Sequence, residues 1–216
     1  MKLWLCGNDL DRIADWLSYD AFEGILTNPD IVANAKMDKV AFFTSLCEIS
    51  NGPVFYQLQS GDEVEMLRDA SRMLDIDTKM RIKVPATRSG MRVISRLTAE
   101  GHSVLATCVP DLTTMLMAVR FGAQWITPYG SIWHPFGQVD KETLLKELSE
   151  VLRNQQLSAQ IIAGVKDPVE LRRFTLAGID NFFIWDKDIE CFFDLPMVLR
   201  SEANFEKSWN TINVQS

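Results

Sequence analysis

The 216-residue chain has two histidines, His102 and His134. That is too few for a multi-histidine metal site, and no H-E-x-x-H or Cys₂His₂ spacing is present, so no metal is expected. Its four cysteines stand at 6, 47, 108 and 191 with no C-x-x-C pair. They read as reduced thiols, mostly buried, rather than a disulfide framework. No apolar run reaches about eighteen residues, so no membrane span is expected. The opening apolar stretch, Met1 to Cys6, turns polar at Gly7-Asn8-Asp9; it is too short for a signal peptide, and a cytoplasmic location is expected. Basic residues are outnumbered, 22 against 29 acidic, for a net charge of −7. Phosphate backbones need a basic face, which argues against a nucleic-acid partner. No G-x-G-x-x-G or Walker loop is present, and neither Ser103 nor any other serine sits in a nucleophile elbow. Nucleotide cofactors and serine hydrolysis lose support, and no cofactor is expected. Linkers and low-complexity segments are missing too, so residues 1–216 are read as one domain.

What remains is 47% hydrophobic, enough for a sizeable core. It falls into eight short apolar runs: Leu3–Cys6, Gly24–Asn28, Val54–Gln59, Met80–Pro85, Ser103–Val109, Trp125–Tyr129, Gln160–Val165 and Asn181–Trp185. They are too short for helices and rich in Val, Ile, Phe and Trp, the signature of buried parallel strands. Amphipathic stretches separate them. Leu10, Ile13, Ala14 and Leu17 repeat at helical spacing, as do Leu112, Met115, Leu116 and Val119, and Leu144, Leu145, Leu148, Val151 and Leu152. From Asp167 to Gly178 the chain supplies an N-cap, Pro168 at the first helical position, a capping-box Glu170 and a stop glycine. Residues 199–213 form an extra terminal helix with no strand after it. Eight alternating units predict a closed (β/α)₈ TIM barrel, class α/β. A flavodoxin-like open sheet would leave three apolar runs unexplained.

Active sites in such barrels lie at the C-terminal ends of the strands. Those ends read Cys6, Asn28, Gln57 with Gln59, Lys83, Thr107, Tyr129, Gly164 with Lys166, and Asp186. Polar groups converging on a barrel mouth need partners or a ligand. Lys83 lies within an apolar strand, where desolvation lowers an amine pKa towards a nucleophilic, neutral form. Arg81 has the same parity and is expected to depress it further. A lysine snorkelling to water or paired with a carboxylate is the alternative account. Tyr129 can donate a proton to a carbinolamine, or simply pack with a wet hydroxyl. Gln57 and Thr107 can hold a water between them. Asn28 and Asp30 also suit helix caps.

These residues resemble the transaldolase family, and within it the short fructose-6-phosphate aldolases. Lys2-Leu3-Trp4-Leu5 is similar to the family's first strand. Gly24-Ile25-Leu26-Thr27-Asn28-Pro29 is similar to G-[VI]-T-T-N-P, and Ile82-Lys83-Val84-Pro85-Ala86-Thr87 with Gly90 to V-K-[VI]-P-x-T-x-x-G. Leu105-Ala106-Thr107, Thr127-Pro128-Tyr129 and Ala163-Gly164-Val165-Lys166 resemble its later strands. The resemblance implies a (β/α)₈ barrel and class I aldol chemistry on a small ketose or sugar phosphate. Lys83 would form the Schiff base, and Tyr129 would act with a water held by Gln57 and Thr107. Thr27 and Asn28 would contact substrate. It also implies a homo-oligomer, a pentamer or decamer, with the terminal helix (Phe205 to Ile212 in particular) on a neighbouring subunit.

Three positions depart from the family. Its first-strand aspartate is Cys6, its seventh-strand serine is Gly164, and the arginine after the tyrosine is Ile132, in an unusual loop with Ser131, Trp133 and His134. All fall in the substrate pocket, so the expectation is retained lysine chemistry on an altered substrate. Arg88 is a candidate replacement contact for an anion. A catalytically impaired paralogue, binding a sugar or serving as a structural ring, is the competing reading. A different Schiff-base reaction is a third.

Overall fold

The computed structural model describes residues 1–129 and 140–213. Ser131, Ile132, Trp133 and His134 therefore lie outside the described residues.

Eight strands alternate with helices along the chain. The strands are β1 (Lys2–Cys6), β2 (Ile25–Leu26), β3 (Val54–Gln57), β4 (Met80–Pro85), β5 (Val104–Val109), β6 (Trp125–Pro128), β7 (Gln160–Val165) and β8 (Asn181–Trp185). The helices are α1 (Leu10–Leu17), α2 (Pro29–Asn34), α3 (Lys39–Ile49), α4 (Glu63–Leu74), α5 (Arg88–Ala99), α6 (Leu112–Arg120), α7 (Lys141–Asn154), α8 (Pro168–Leu176) and α9 (Pro196–Asn213). Each strand pairs in parallel with the next, and β8 returns to β1 over five register positions, Lys2↔Asn181 through Cys6↔Trp185. The sheet is a closed barrel in sequence order. The predicted TIM barrel with an added terminal helix is what forms. Boundaries shift in places: β2 shrinks to two residues, two helices rather than one link it to β3, and the terminal helix begins at Pro196.

Aspartates do much of the punctuation. Asp9, Asp38, Asp62, Asp111, Asp140 and Asp167 each accept a backbone N–H at the start of their helix, and Asn28 and Thr87 cap α2 and α5. Such a cap stabilises a helix by about 1 kcal/mol. The capping box expected at Asp167 is only half formed. Asp167 accepts from Glu170 N–H at 2.8 Å, but the Glu170 carboxylate accepts from Lys166 N–H instead. Gly178 ends that segment at φ +92°, a conformation open to glycine without steric cost.

Strand parity sorts the side chains. Tyr56 faces outward and meets the Phe43 ring of α3 at 5.1 Å. Phe55, of opposite parity, meets Trp4 of β1 at 5.6 Å and Trp125 of β6 at 5.3 Å. Rings from β1, β3 and β6 touch only across the interior of a barrel, so this layer forms its packed floor. The residues two further along, Cys6, Gln57 and Thr127, lie one layer nearer the mouth.

α9 differs from the other helices. Its residues 196–212 are all exposed, including Met197, Phe205, Trp209 and Ile212. No helix among the described residues is long and apolar enough to cross a membrane.

Candidate active site

Lys83 lies on β4 between Gln57 of β3 and Leu105 of β5. It is 4% exposed, and its Nζ donates to the Thr27 carbonyl at 3.1 Å. It has no carboxylate partner among the described residues. Burial lowers its amine to about 8, and the Cys6 and Cys108 side chains nearby oppose the shift. Arg81 adds nothing of the kind expected of it. Its guanidinium turns to the Thr78 and Met80 carbonyls at the start of the strand, where two carbonyl acceptors satisfy it.

Cys6 is fully buried beside Lys83. Burial pushes its thiol up to about 12, with Lys83 opposing and Asp186 adding. It is thus a neutral, weak donor at pH 7, where a carboxylate would be an anion. Cys108 arrives by a backbone irregularity. The β5–β6 register shifts between Ala106 and Val109, and Cys108 takes φ +57°. A bulge at a barrel rim re-aims the side chains on either side of it. Here it brings a second thiol close to the lysine, which sequence parity does not reveal. Burial raises the Cys108 pKa, while Lys83 and Thr107 oppose.

Tyr129 follows β6 directly and extends its pairing, donating its N–H to the Val109 carbonyl at 3.0 Å. Burial raises its hydroxyl pKa, Cys108 and Cys6 add, and Thr107 opposes. The phenol is therefore protonated at neutral pH. Thr107 is near enough to affect that titration, yet no hydrogen bond of normal geometry reaches its Oγ1. Gln57 Oε1 and Thr127 Oγ1 are likewise buried without a partner among the described residues. Unpaired buried polar atoms are costly, by about 1–3 kcal/mol each. Three of them towards the C-terminal ends of β3, β5 and β6 mark a place built for a polar ligand or water.

Thr27 and Asn28 stand at the end of β2. Thr27 Oγ1 donates to the Phe55 carbonyl at 2.8 Å, so its hydroxyl is committed to the sheet, and its carbonyl serves Lys83. Asn28 Oδ1 accepts Ile31 N–H at 2.8 Å. Asn28 is thus a cap, and its amide NH₂ remains for a ligand. Arg88, the first residue of α5, is exposed and does not line the cleft described next.

A cleft of about 380 Å³ opens between β6, β7 and β8, lined by Asn28, Tyr129, Lys141, Gly164, Phe183 and Trp185 among others. Gly164 is closely covered. A Cβ built on it would stand 2.5 Å from the Phe183 Cζ. Phe183 is the register partner of Gly164 on one side and of Trp4 on the other, and Trp185 is the partner of Cys6. The two small residues at the mouth therefore each neighbour a large aromatic of β8. Sequence reading missed Phe183, Trp185 and Lys141; alternation along β8 was the one available signal for the first two.

Asp186, just beyond β8, is buried, but its carboxylate is engaged by Lys187 N–H at 2.7 Å and Asp9 N–H at 3.3 Å. It packs over Gly7, where any Cβ would overlap it. This is a structural post between β8 and α1. Among the described residues, no three His, Cys, Asp or Glu side chains gather as a metal site.

The sequence profile described as Transaldolase/Fructose-6-phosphate aldolase matches residues 3–166, from β1 through the end of β7. A probable transaldolase of Desulforapulum autotrophicum is 27% identical over 210 residues, 97% of each chain. One of Syntrophobacter fumaroxidans is 26% identical over 220 residues, covering 100% of this chain and 99% of its own. One of Thermus thermophilus is 28% identical over 195 residues, 83% and 85% of the two chains. With its barrel, its buried strand-four lysine and a profile match over most of its length, the chain belongs to the transaldolase and fructose-6-phosphate aldolase family.

Proposed function

We propose that this protein is a class I aldolase or transaldolase that uses Lys83 as its Schiff-base nucleophile. The observation that carries the reading is the Lys83 environment: a buried amine, lowered to about 8, with no carboxylate among the described residues to fix it as an ammonium, and sharing the neighbours Cys6 and Cys108 with a protonated Tyr129. A neutral fraction near 10% at pH 7 follows from that value, far above that of a free lysine.

The chemistry follows from those groups. Lys83 Nζ adds to the ketone carbon of a small ketose, and the oxygen takes a proton from Tyr129 to give a carbinolamine. Loss of water leaves an iminium. Removal of a proton from the hydroxyl on the β-carbon then breaks the bond between the α- and β-carbons, releasing an aldehyde and moving the electron pair into an enamine. The enamine either adds to an acceptor aldehyde or takes a proton, and hydrolysis frees the lysine. Gln57 and Thr107 hold the hydrolytic water, and the Asn28 amide meets a substrate hydroxyl. The unpartnered Gln57 Oε1 and Thr107 Oγ1 support the first of these roles. A sugar phosphate or a related small ketose is the substrate class.

The exposed apolar face of α9 supports the further reading that residues 199–213 pack on a neighbouring subunit in a homo-oligomer. The protein acts as a soluble enzyme of the cytoplasm.

A binding or structural paralogue is the second reading. Cys6 and Gly164, which supply no strong hydrogen-bonding side chain at the mouth, are the observations that favour it. Borohydride trapping separates the two. The enzyme is incubated with dihydroxyacetone, hydroxyacetone or fructose 6-phosphate, reduced, and read by intact mass and peptide mapping, with Lys83→Ala as control. The aldolase reading requires an adduct on Lys83 that the variant lacks. Saturable ligand binding without any adduct selects the second reading.

A further inference from the structure

Lys141 is the first residue of α7 and lines the same cleft as Tyr129 and Gly164. It is half-buried. Its Nζ donates to the Gly164 carbonyl at 2.6 Å and stands 4.8 Å from the centre of the Phe174 ring. Neither partner neutralises a positive charge. No carboxylate lies within ion-pair distance of Lys141 among the described residues, and residues 130–139 contain no Asp or Glu. Lys166, also in the lining, is different: its Nζ pairs with Glu170 Oε1 at 3.4 Å. A sheltered cation without a counter-ion is costly, and the cost falls when an anion is bound.

The surroundings restrict which anion fits. Glu170 is engaged twice by Lys166, through Nζ and through its backbone N–H at 3.1 Å, so the two charges cancel locally. Asp30, exposed on α2, adds a negative charge to the lining. Among the described residues Lys141 is thus the lining lysine with no carboxylate at ion-pair distance, and Asp30 would oppose any negative charge beyond one. Position 164 offers no hydroxyl, and its side-chain space is filled by Phe183. Phe183 and Trp185, 6.5 Å apart between ring centres, give the same cleft an apolar wall. Among the described lining residues, few donors besides Lys141 and the Asn28 amide stand ready for the three terminal oxygens of a phosphate dianion. A carboxylate needs one cation and shorter reach.

We infer that Lys141 is a specificity-determining residue that binds the carboxylate of a small acidic aldehyde, an oxo acid, in place of a phosphorylated acceptor. This rests on taking the cleft lined by Asn28 and Tyr129, both given substrate-facing roles in the proposed reaction, as the substrate cleft, but not on covalent chemistry at Lys83.

The test is calorimetric titration with unreactive probes: D-glycerate, its neutral amide glyceramide, and glycerol 3-phosphate. The wild-type protein is expected to bind glycerate at least tenfold more tightly than either of the others. In Lys141→Met the preference for glycerate over glyceramide falls to near unity, and Lys141→Arg restores most of it. A merely structural lysine would weaken both probes alike and leave their ratio intact, and that outcome overturns the inference. So does tighter binding of glycerol 3-phosphate, or no measurable glycerate binding by folded wild-type protein. Trapping at Lys83 is read separately on wild-type protein. An adduct with no glycerate preference sinks this inference alone. Glycerate preference that depends on Lys141, without any adduct, sinks the Schiff-base reading alone.

Discussion

The Lys83 amine donates to the Thr27 carbonyl at 3.1 Å, and that carbonyl is its one hydrogen-bond partner among the described residues. A carbonyl accepts a hydrogen bond from either protonation state, so burial decides the charge. With the amine at about 8, Schiff-base formation should rise with pH and level off above about pH 9. Between pH 7 and pH 8 the neutral fraction grows about fivefold. Initial rates of trapping at fixed donor, measured from pH 6 to 10, check this. A flat profile would mean that amine ionisation does not limit the step.

The same burial costs stability. Unfolding returns Lys83 to an ordinary lysine, so between about pH 8 and 10.5 the unfolded chain binds more protons than the folded one. Stability then rises with pH across that window, and the full penalty is present below it. Its size is about 3 kcal/mol. Lys83→Met should abolish trapping yet raise the melting temperature at pH 7 by roughly 5–10 °C, and the gain should fade near pH 10.5. Calorimetry at pH 7 and 10.5 tests both parts.

Cys6→Asp places an anion where a neutral thiol now lies beside Lys83. An adjacent carboxylate favours the ammonium. The midpoint of the trapping profile should move up by a unit or more, against the wild-type midpoint near 8. An unshifted midpoint would show that the new carboxyl group is itself protonated.

Gly164→Ser should fail as a simple restoration of a hydroxyl, because Phe183 already fills the space. Overpacking of this kind costs about 1–3 kcal/mol. Combining it with Phe183→Leu should recover most of that loss, giving a non-additive pair. Denaturant midpoints of the two single variants and the double variant decide it.

Phe205→Glu with Trp209→Glu should reduce the assembly size without unfolding the barrel. Both side chains are exposed on α9, at 67% and 64%, and so contribute little to the core. Light scattering after gel filtration reads the mass, and circular dichroism reads the fold. An unchanged mass would place the subunit contact elsewhere.

Much of this was legible in the sequence because the signals were local. Eight apolar runs of strand length reported the barrel, and the polar residue ending most of them reported its mouth. Lys83 stood out because a charge inside Met80–Pro85 contradicts its neighbours. What stayed hidden depends on pairing between distant segments. Cys108 approaches Lys83 through the β5–β6 register shift. Phe183 meets Gly164 because β7 and β8 align at that level. Arg81 was misjudged because parity gives the face of a strand but not where a long side chain finds its acceptors. Lys141 carries no motif; that it has no ion-pair partner among the described residues depends on how α7 and α8 pack.

The seam where β8 closes on β1 sets Trp185 beside Cys6, and on its other flank Phe183 lies beside Gly164. Small residues on β1 and β7 stand beside large ones on β8. These four positions therefore behave as a single cassette. A mutant library that varies one strand at a time will sample mostly holes and collisions, whereas randomising all four together keeps the volume of the mouth constant while its chemistry changes.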